Sequence, residues 1–210
     1  MELFHPYGKL FCLLSRICDL AYANFLFLIT SLPIFTIGAS LAALNRVTQE
    51  IVTDELGSVT DCYFRSFRLN FRRASGVWLL LLTGLLFLCG GWLLLQNVLL
   101  LPTFLEWVTL LLAALLVSMV FYSFQLLARF DSTAPATLRN ALLLSLGHFP
   151  FTLLFLAILA LAGGLLLVLT PVHASVFSFF LIFFGAALHS LLCSAVMLRR
   201  IFPRHHTVSA

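Results

Sequence analysis

The chain has 210 residues; 62% are hydrophobic and only 10% are Asp, Glu, Lys or Arg. A soluble domain is about 45–50% apolar and about 25% charged, because polar groups must cover its surface. Together with a mean hydropathy of +1.10, so little charge excludes that class and predicts one integral membrane domain over residues 1–210. The net charge of +4 calls for no acidic partner, since arginines at the cytoplasmic face of a membrane protein account for it.

No Asp, Glu, Lys or Arg lies between Asp19 and Arg46, Arg73 and Glu106, Glu106 and Arg129, or Arg139 and Arg199. A helix crossing hydrocarbon needs about 20 mostly apolar residues. The first three gaps hold one crossing each, and the last holds two around Thr170-Pro171. The expected architecture is all-α: a polytopic bundle of about five spans near 22–44, 77–100, 107–128, 149–169 and 174–198.

The first span is interrupted. Pro33 stands at its centre, flanked by Thr30, Ser31, Thr36 and Gly38, and proline both removes a backbone donor and clashes with the preceding turn. Residues Ser31, Pro33, Thr36 and Gly38 are therefore a candidate helix break. One kinked span is the plainer reading, since membrane helices tolerate proline. A re-entrant hairpin turning at Pro33 is the rival. A cleavable signal ending at Ser40-Leu41-Ala42 is the third reading, but the long Asp19-containing lead-in argues against it.

Residues 45–75 form the expected cytoplasmic loop. Within it, Phe64, Phe67 and Phe71 fall on one helical stripe, and Arg65, Arg68 and Arg72 on a second beside it, with Arg73 following. This pattern predicts an interfacial amphipathic helix, rings in the acyl boundary and guanidiniums among anionic headgroups, leading into the second crossing. It also fits a docking surface for a cytoplasmic partner. Nucleic acid, the other use of alternating basic and aromatic residues, is the weaker reading in so apolar a chain.

The second span stops at Gln96-Asn97 and Leu101-Pro102-Thr103, and Glu106-Trp107 opens the third. Arg129 and Asp131 end that span, and Pro135 and Pro150 bracket an interfacial stretch, 136–148. Arg199-Arg200 anchors the fifth span, and His205-His206 reads as a solvated tail. With five crossings, Lys9 and Arg16 lie on one side and ten arginines on the other, which places the C-terminus in the cytoplasm and the N-terminus outside. The hairpin alternative would put all twelve cations inside.

Polar residues within or beside the spans are few. Asp19 and Asn24 start the first, where capping or bridging helices is the plain role and lining a site the sharper one. His189 lies inside the fifth. An ionisable group in a membrane is a functional candidate, but a neutral His also bridges helices, and no carboxylate shares its span. The five cysteines, Cys12, Cys18, Cys62, Cys89 and Cys193, make no CxxC pair and read as packing residues. There is no phosphate-cradling glycine loop, paired intramembrane carboxylate or HExxH, so neither a catalytic set nor a cofactor or metal is expected. Gly90-Gly91, Gly163-Gly164 and Gly185-Ala186-Ala187 are small-residue patches suited to close helix contact, within one chain or in a homo-oligomer.

Gly8, Asp19-Leu20, Asn24, Ser31-Leu32-Pro33, Thr36-Ile37-Gly38-Ala39, Ala43-Leu44, Phe64, Phe67 and Asn70-Phe71 resemble the YesL family of bacterial polytopic membrane proteins. The resemblance covers the first 75 residues and continues more loosely through Asn140-Ala141-Leu142 and Pro150. It implies a bacterial inner-membrane protein without assigned activity, whose relatives' genes lie near those for carbohydrate uptake. The expected role is a non-enzymatic accessory or regulatory partner of a sugar ABC transporter or a sensor kinase. The alternative is a small homo-oligomeric transporter or channel acting alone, for which the Pro33 break would be the place to look.

Overall fold

The computed structural model describes residues 9–94 and 103–201, and among these every regular element is a helix. In chain order they are α1 (Lys9–Thr30), a 3₁₀ turn (Ile34–Thr36), α2 (Ile37–Thr53), α3 (Val59–Leu94), α4 (Thr103–Arg129), α5 (Ala134–Gly147), α6 (Phe149–Val168), α7 (Pro171–Phe180) and α8 (Ala186–Val196). Five π-helical residues, Leu181–Gly185, join α7 to α8 without a break, and a second π segment, Met197–Ile201, follows. Among the described residues, four helices are long and apolar enough to cross a membrane: Val59–Leu94, Phe104–Arg129, Phe149–Val168 and Pro171–Arg200. The protein is thus an all-α bundle of the membrane type.

The stretch expected to form one span over 22–44 is two helices folded back on each other. Arg16, near the start of α1, is ion-paired with Asp54, just past the end of α2. Along one continuous helix these residues would stand ~57 Å apart, at about 1.5 Å per residue. The reversal occurs where Pro33 takes an extended conformation, φ −77° and ψ 124°. Thr36 Oγ1 then closes the turn by donating to the carbonyls of Thr30 and Pro33, both at 2.6 Å. The kinked-span reading is therefore corrected to a hairpin, and four candidate crossings replace five.

The expected loop over 45–75 is likewise almost wholly helical. Only residues 54–58 separate α2 from α3, and Asp54 ends α2 in the left-handed region at φ 59°. The Arg/Phe segment is the first third of α3, a single 36-residue helix that continues as the second predicted span. The stop signals at Gln96-Asn97 and Leu101-Pro102, and the His205-His206 tail, lie outside the described residues. The stretch between Pro135 and Pro150 is α5, which buries Thr137, Ala141 and Ser145 at four-residue spacing.

Helix α2 is the hub. Ala39, Ser40, Ala42 and Ala43 are fully buried, and side chains this small let neighbouring backbones come close. On one flank Leu44, Val47 and Ile51 pack with Leu20, Ala23 and Leu26 of α1, Cys62 and Tyr63 of α3, and Ala187 of α8. On the other, Ala39 and Ala42 meet Ala74, Val77 and Leu81 of α3, and Phe124 and Leu127 of α4. A third cluster joins Tyr122 and Leu126 to Ala141, Phe155, Cys193 and Met197.

Candidate functional site

Where α2, α4 and α8 meet, the interior is polar. Asn45, Thr48 and Gln49 project from α2 at spacings of three and four residues, so they share one face; Gln125 comes from α4, and Ser190 and Ser194 from α8. Gln49 Nε2 donates to the Gln125 carbonyl at 3.0 Å and to its Oε1 at 2.7 Å. Gln125 Nε2 donates to Asn45 Oδ1 and to Ser194 Oγ, both at 3.1 Å. Thr48 Oγ1 lies 2.8 Å from each serine hydroxyl, and Ser190 also donates to Asn45 Oδ1. Buried hydrogen bonds of this kind stabilise a helix contact because the separated groups would be unsatisfied in an apolar medium. The network contains amides and hydroxyls only, so it holds helices in register and has no group suited to move protons.

A charged cluster adjoins it. Glu50, buried on α2, accepts from Arg46 Nε at 2.9 Å and lies 4.0 Å from Arg65 Nη2. Arg46 also reaches the carbonyl of Ala128 at 3.4 Å, at the C-terminal end of α4, where helix carbonyls lack intrahelical partners and a cation is favoured.

The aromatic and basic stripes of α3 lie side by side, the first against the protein and the second in the open. Phe64, Phe67 and Phe71 are half-buried against the hydrophobic clusters of α1, α2 and α4, with Phe67 between Tyr63 and Phe71 at centroid distances of 6.4 and 5.6 Å. Part of each ring thus packs against the protein, and part stays exposed. Arg65, Arg68, Arg72 and Arg73 are exposed. Arg73 pairs with Asp131 at 3.1 Å, whereas Arg68 and Arg72 have no carboxylate partner among the described residues.

The candidate intramembrane polar groups separate. Asn24 is fully buried and completes the irregular part of the last helix: its Nδ2 donates to the carbonyls of Ile182 and Phe183 at 2.8 and 2.9 Å, and its Oδ1 accepts from the Ala187 N–H at 3.0 Å. A π segment displaces the regular backbone ladder, and one carboxamide satisfies both kinds of group left over. His189 stands between Phe121 and Phe155, at 4.6 and 6.0 Å, with Nδ1 3.6 Å from Cys193 Sγ. Asp19 is half-buried and joins neither group. At the break, Thr30 Oγ1 lies 2.6 Å from Tyr63 OH, Ser31 Oγ is buried without a partner, and Gly38 abuts α3.

A family model described as a protein of unknown function, DUF624, matches residues 20–92. No curated protein and no solved structure gives a significant match. The matched stretch runs from Leu20 through the hairpin and along α3 to Trp92. It carries Asn24, the Pro33 break, the Asn45–Glu50 face and the Arg/Phe stripe. Gln125, His189, Ser190 and Ser194 lie beyond it. No group of three His, Cys, Asp or Glu able to hold a metal occurs among the described residues.

The charge pattern alone puts Asn45, Thr48 and Gln49 in a loop, because Arg46 and Glu50 end the apolar run. Their three-and-four spacing was the available signal. Gln125 was visible as a polar residue in the third span, but nothing local pairs it with α2.

Proposed function

We propose that this protein is a non-enzymatic accessory or regulatory subunit of the bacterial cytoplasmic membrane that binds a partner through the basic edge of α3. The observation that carries this reading is the pair Arg68 and Arg72: exposed, without acidic partners among the described residues, and borne on a helix whose neighbouring Phe stripe packs against the core. The stretch matched by the family model overlaps, over residues 20–75, the part that resembles the YesL family, and that resemblance supports a carbohydrate ABC transporter or a sensor kinase as the partner. In this reading the C-terminus faces the cytoplasm, as the arginine distribution favours.

The test is affinity purification of the tagged protein, at native level, from bacterial membranes in a mild detergent. A transporter subunit or kinase should co-purify stoichiometrically from wild type. It should be lost from the Arg68→Glu/Arg72→Glu variant, while membrane insertion is unchanged. Arg65 is left intact because reversing it would place a carboxylate beside Glu50. A clean homo-oligomer, or association indifferent to both charges, would sink the proposal and shift weight to autonomous transport, to be checked by flux into liposomes.

A further inference from the structure

A partly open cavity of about 620 Å³ lies between α4, α6 and the α7–α8 helix, with one edge on α2. That volume is in the range of small-molecule sites, about 300–1,000 Å³. Its walls are apolar, with Phe121 and Leu181 among the lining residues. Its polar lining comes from Asn45, Gln125, His189 and Ser190, and no Asp, Glu, Lys or Arg borders it. Asn45 is the distinctive member. It is 94% buried (6% exposed), and its Oδ1 accepts from Gln125 and Ser190, which fixes the orientation of the carboxamide. Its Nδ2 makes no hydrogen bond to any described residue, and so leaves a donor unpaired at the cavity edge. A donor left open at the rim is available to whatever enters the cavity, as is His189 Nε2, which is buried on the same lining without a partner among the described residues.

One wall has an unusual build. Leu181 and Gly185 are the two ends of the π segment that Asn24 stabilises, and π segments concentrate where function requires a widened helix. Opposite, a Cβ added at Gly163 would meet nothing within 4 Å.

We propose that this cavity binds one hydrocarbon chain of an uncharged long-chain amphiphile, whose ester or hydroxyl oxygen accepts the free hydrogen bond from Asn45 Nδ2. The apolar walls take the chain. The lack of a lining cation disfavours a carboxylate or phosphate head, because an unpaired buried charge is far costlier than a buried hydroxyl.

Native mass spectrometry of the detergent-solubilised protein, titrated with 1-monooleoylglycerol or with oleate at pH 8, tests this. Wild type should take up one monooleoylglycerol per chain, at least tenfold more tightly than oleate. Gly163→Leu, which fills the cavity and replaces glycine by a better helix former, should weaken uptake at least tenfold with helicity and monodispersity unchanged. Asn45→Asp, which keeps an acceptor for Gln125 and Ser190 but replaces the donor by a carboxylate, should weaken monooleoylglycerol uptake at least tenfold and leave oleate uptake no better than in wild type. The proposal is overturned by the absence of a one-to-one adduct on wild type, by uptake that Gly163→Leu leaves intact, or by efficient cross-linking of two copies through Gly163→Cys, which would mean that a second chain covers the site.

Discussion

Single residues hold this bundle together in two contrasting ways. Asn24 works through hydrogen bonds: one side chain on α1 serves two carbonyls and one N–H of the last helix. Asn24→Leu keeps much of the volume but orphans all three, at about 1–3 kcal/mol per buried group. A loss of at least ~2 kcal/mol is expected, read as a lower melting temperature in detergent; Asn24→Asp should also destabilise, since a carboxylate cannot donate to Ile182 and Phe183. Gly38 works through absence. A Cβ there would stand 2.4 Å from the Ala74 carbonyl oxygen and 2.6 Å from Trp78 Cβ, and backbone cannot yield as a flexible side-chain end can. Gly38→Ala should cost about 1–3 kcal/mol, the usual range for overpacking, whereas Gly163→Ala should be neutral or mildly stabilising; parallel thermal melts compare them. Of these two positions, the sequence singled out Gly38 only as part of a break. Its contact lies some 36 residues along the chain, so local pattern could not reveal it.

At the scale of elements, charge-free gaps located α3, α4, α6 and the α7–α8 helix well, because the cost of a charge in hydrocarbon is a local property of each segment. The α1–α2 hairpin was legible only as a break. Proline dictates that the helix stops, but the direction in which the chain leaves is set by distant partners: Tyr63 for Thr30, Trp78 for the Ile34 carbonyl, and Asp54 for Arg16. The Arg/Phe segment shows the same limit. Periodicity identified two stripes, yet whether rings face lipid or protein depends on α1 and α2 covering them. The hairpin has a direct consequence. A short bis-maleimide should join Arg16→Cys to Asp54→Cys within one chain, seen as a mobility shift on denaturing gels in a background where Cys12 and Cys18 are replaced. A kinked span would keep the two thiols on opposite sides of the membrane, with no shift at any reagent concentration. The ion pair itself is exposed, with 44% and 71% of the two side chains accessible, so the cysteine pair should cost less than ~1 kcal/mol.

For the whole molecule, the hairpin changes the charge arithmetic. If α1 and α2 enter and leave on one side, four crossings return the C-terminus to the side of the N-terminus, and all twelve lysines and arginines gather at one face. The positive-inside rule is then obeyed without exception. Reporter fusions check this: a fluorescent protein should mature at either terminus, and periplasmic alkaline phosphatase should be inactive at both. Phosphatase activity at the N-terminus would restore the odd count of spans.

Helix α3 sets one further property of the assembly. Its 36 residues run without a break from Val59 to Leu94, roughly 54 Å at about 1.5 Å per residue, against a hydrocarbon layer of about 30 Å. Some 20 Å of the same rod therefore extends beyond the core it crosses, and Arg68 and Arg72 sit on that overhang. Such a rod is a lever with its fulcrum in the α2 contact around Gly38 and Ala74. If the helix moves as one piece, tilting its basic end swings Leu94 at the other.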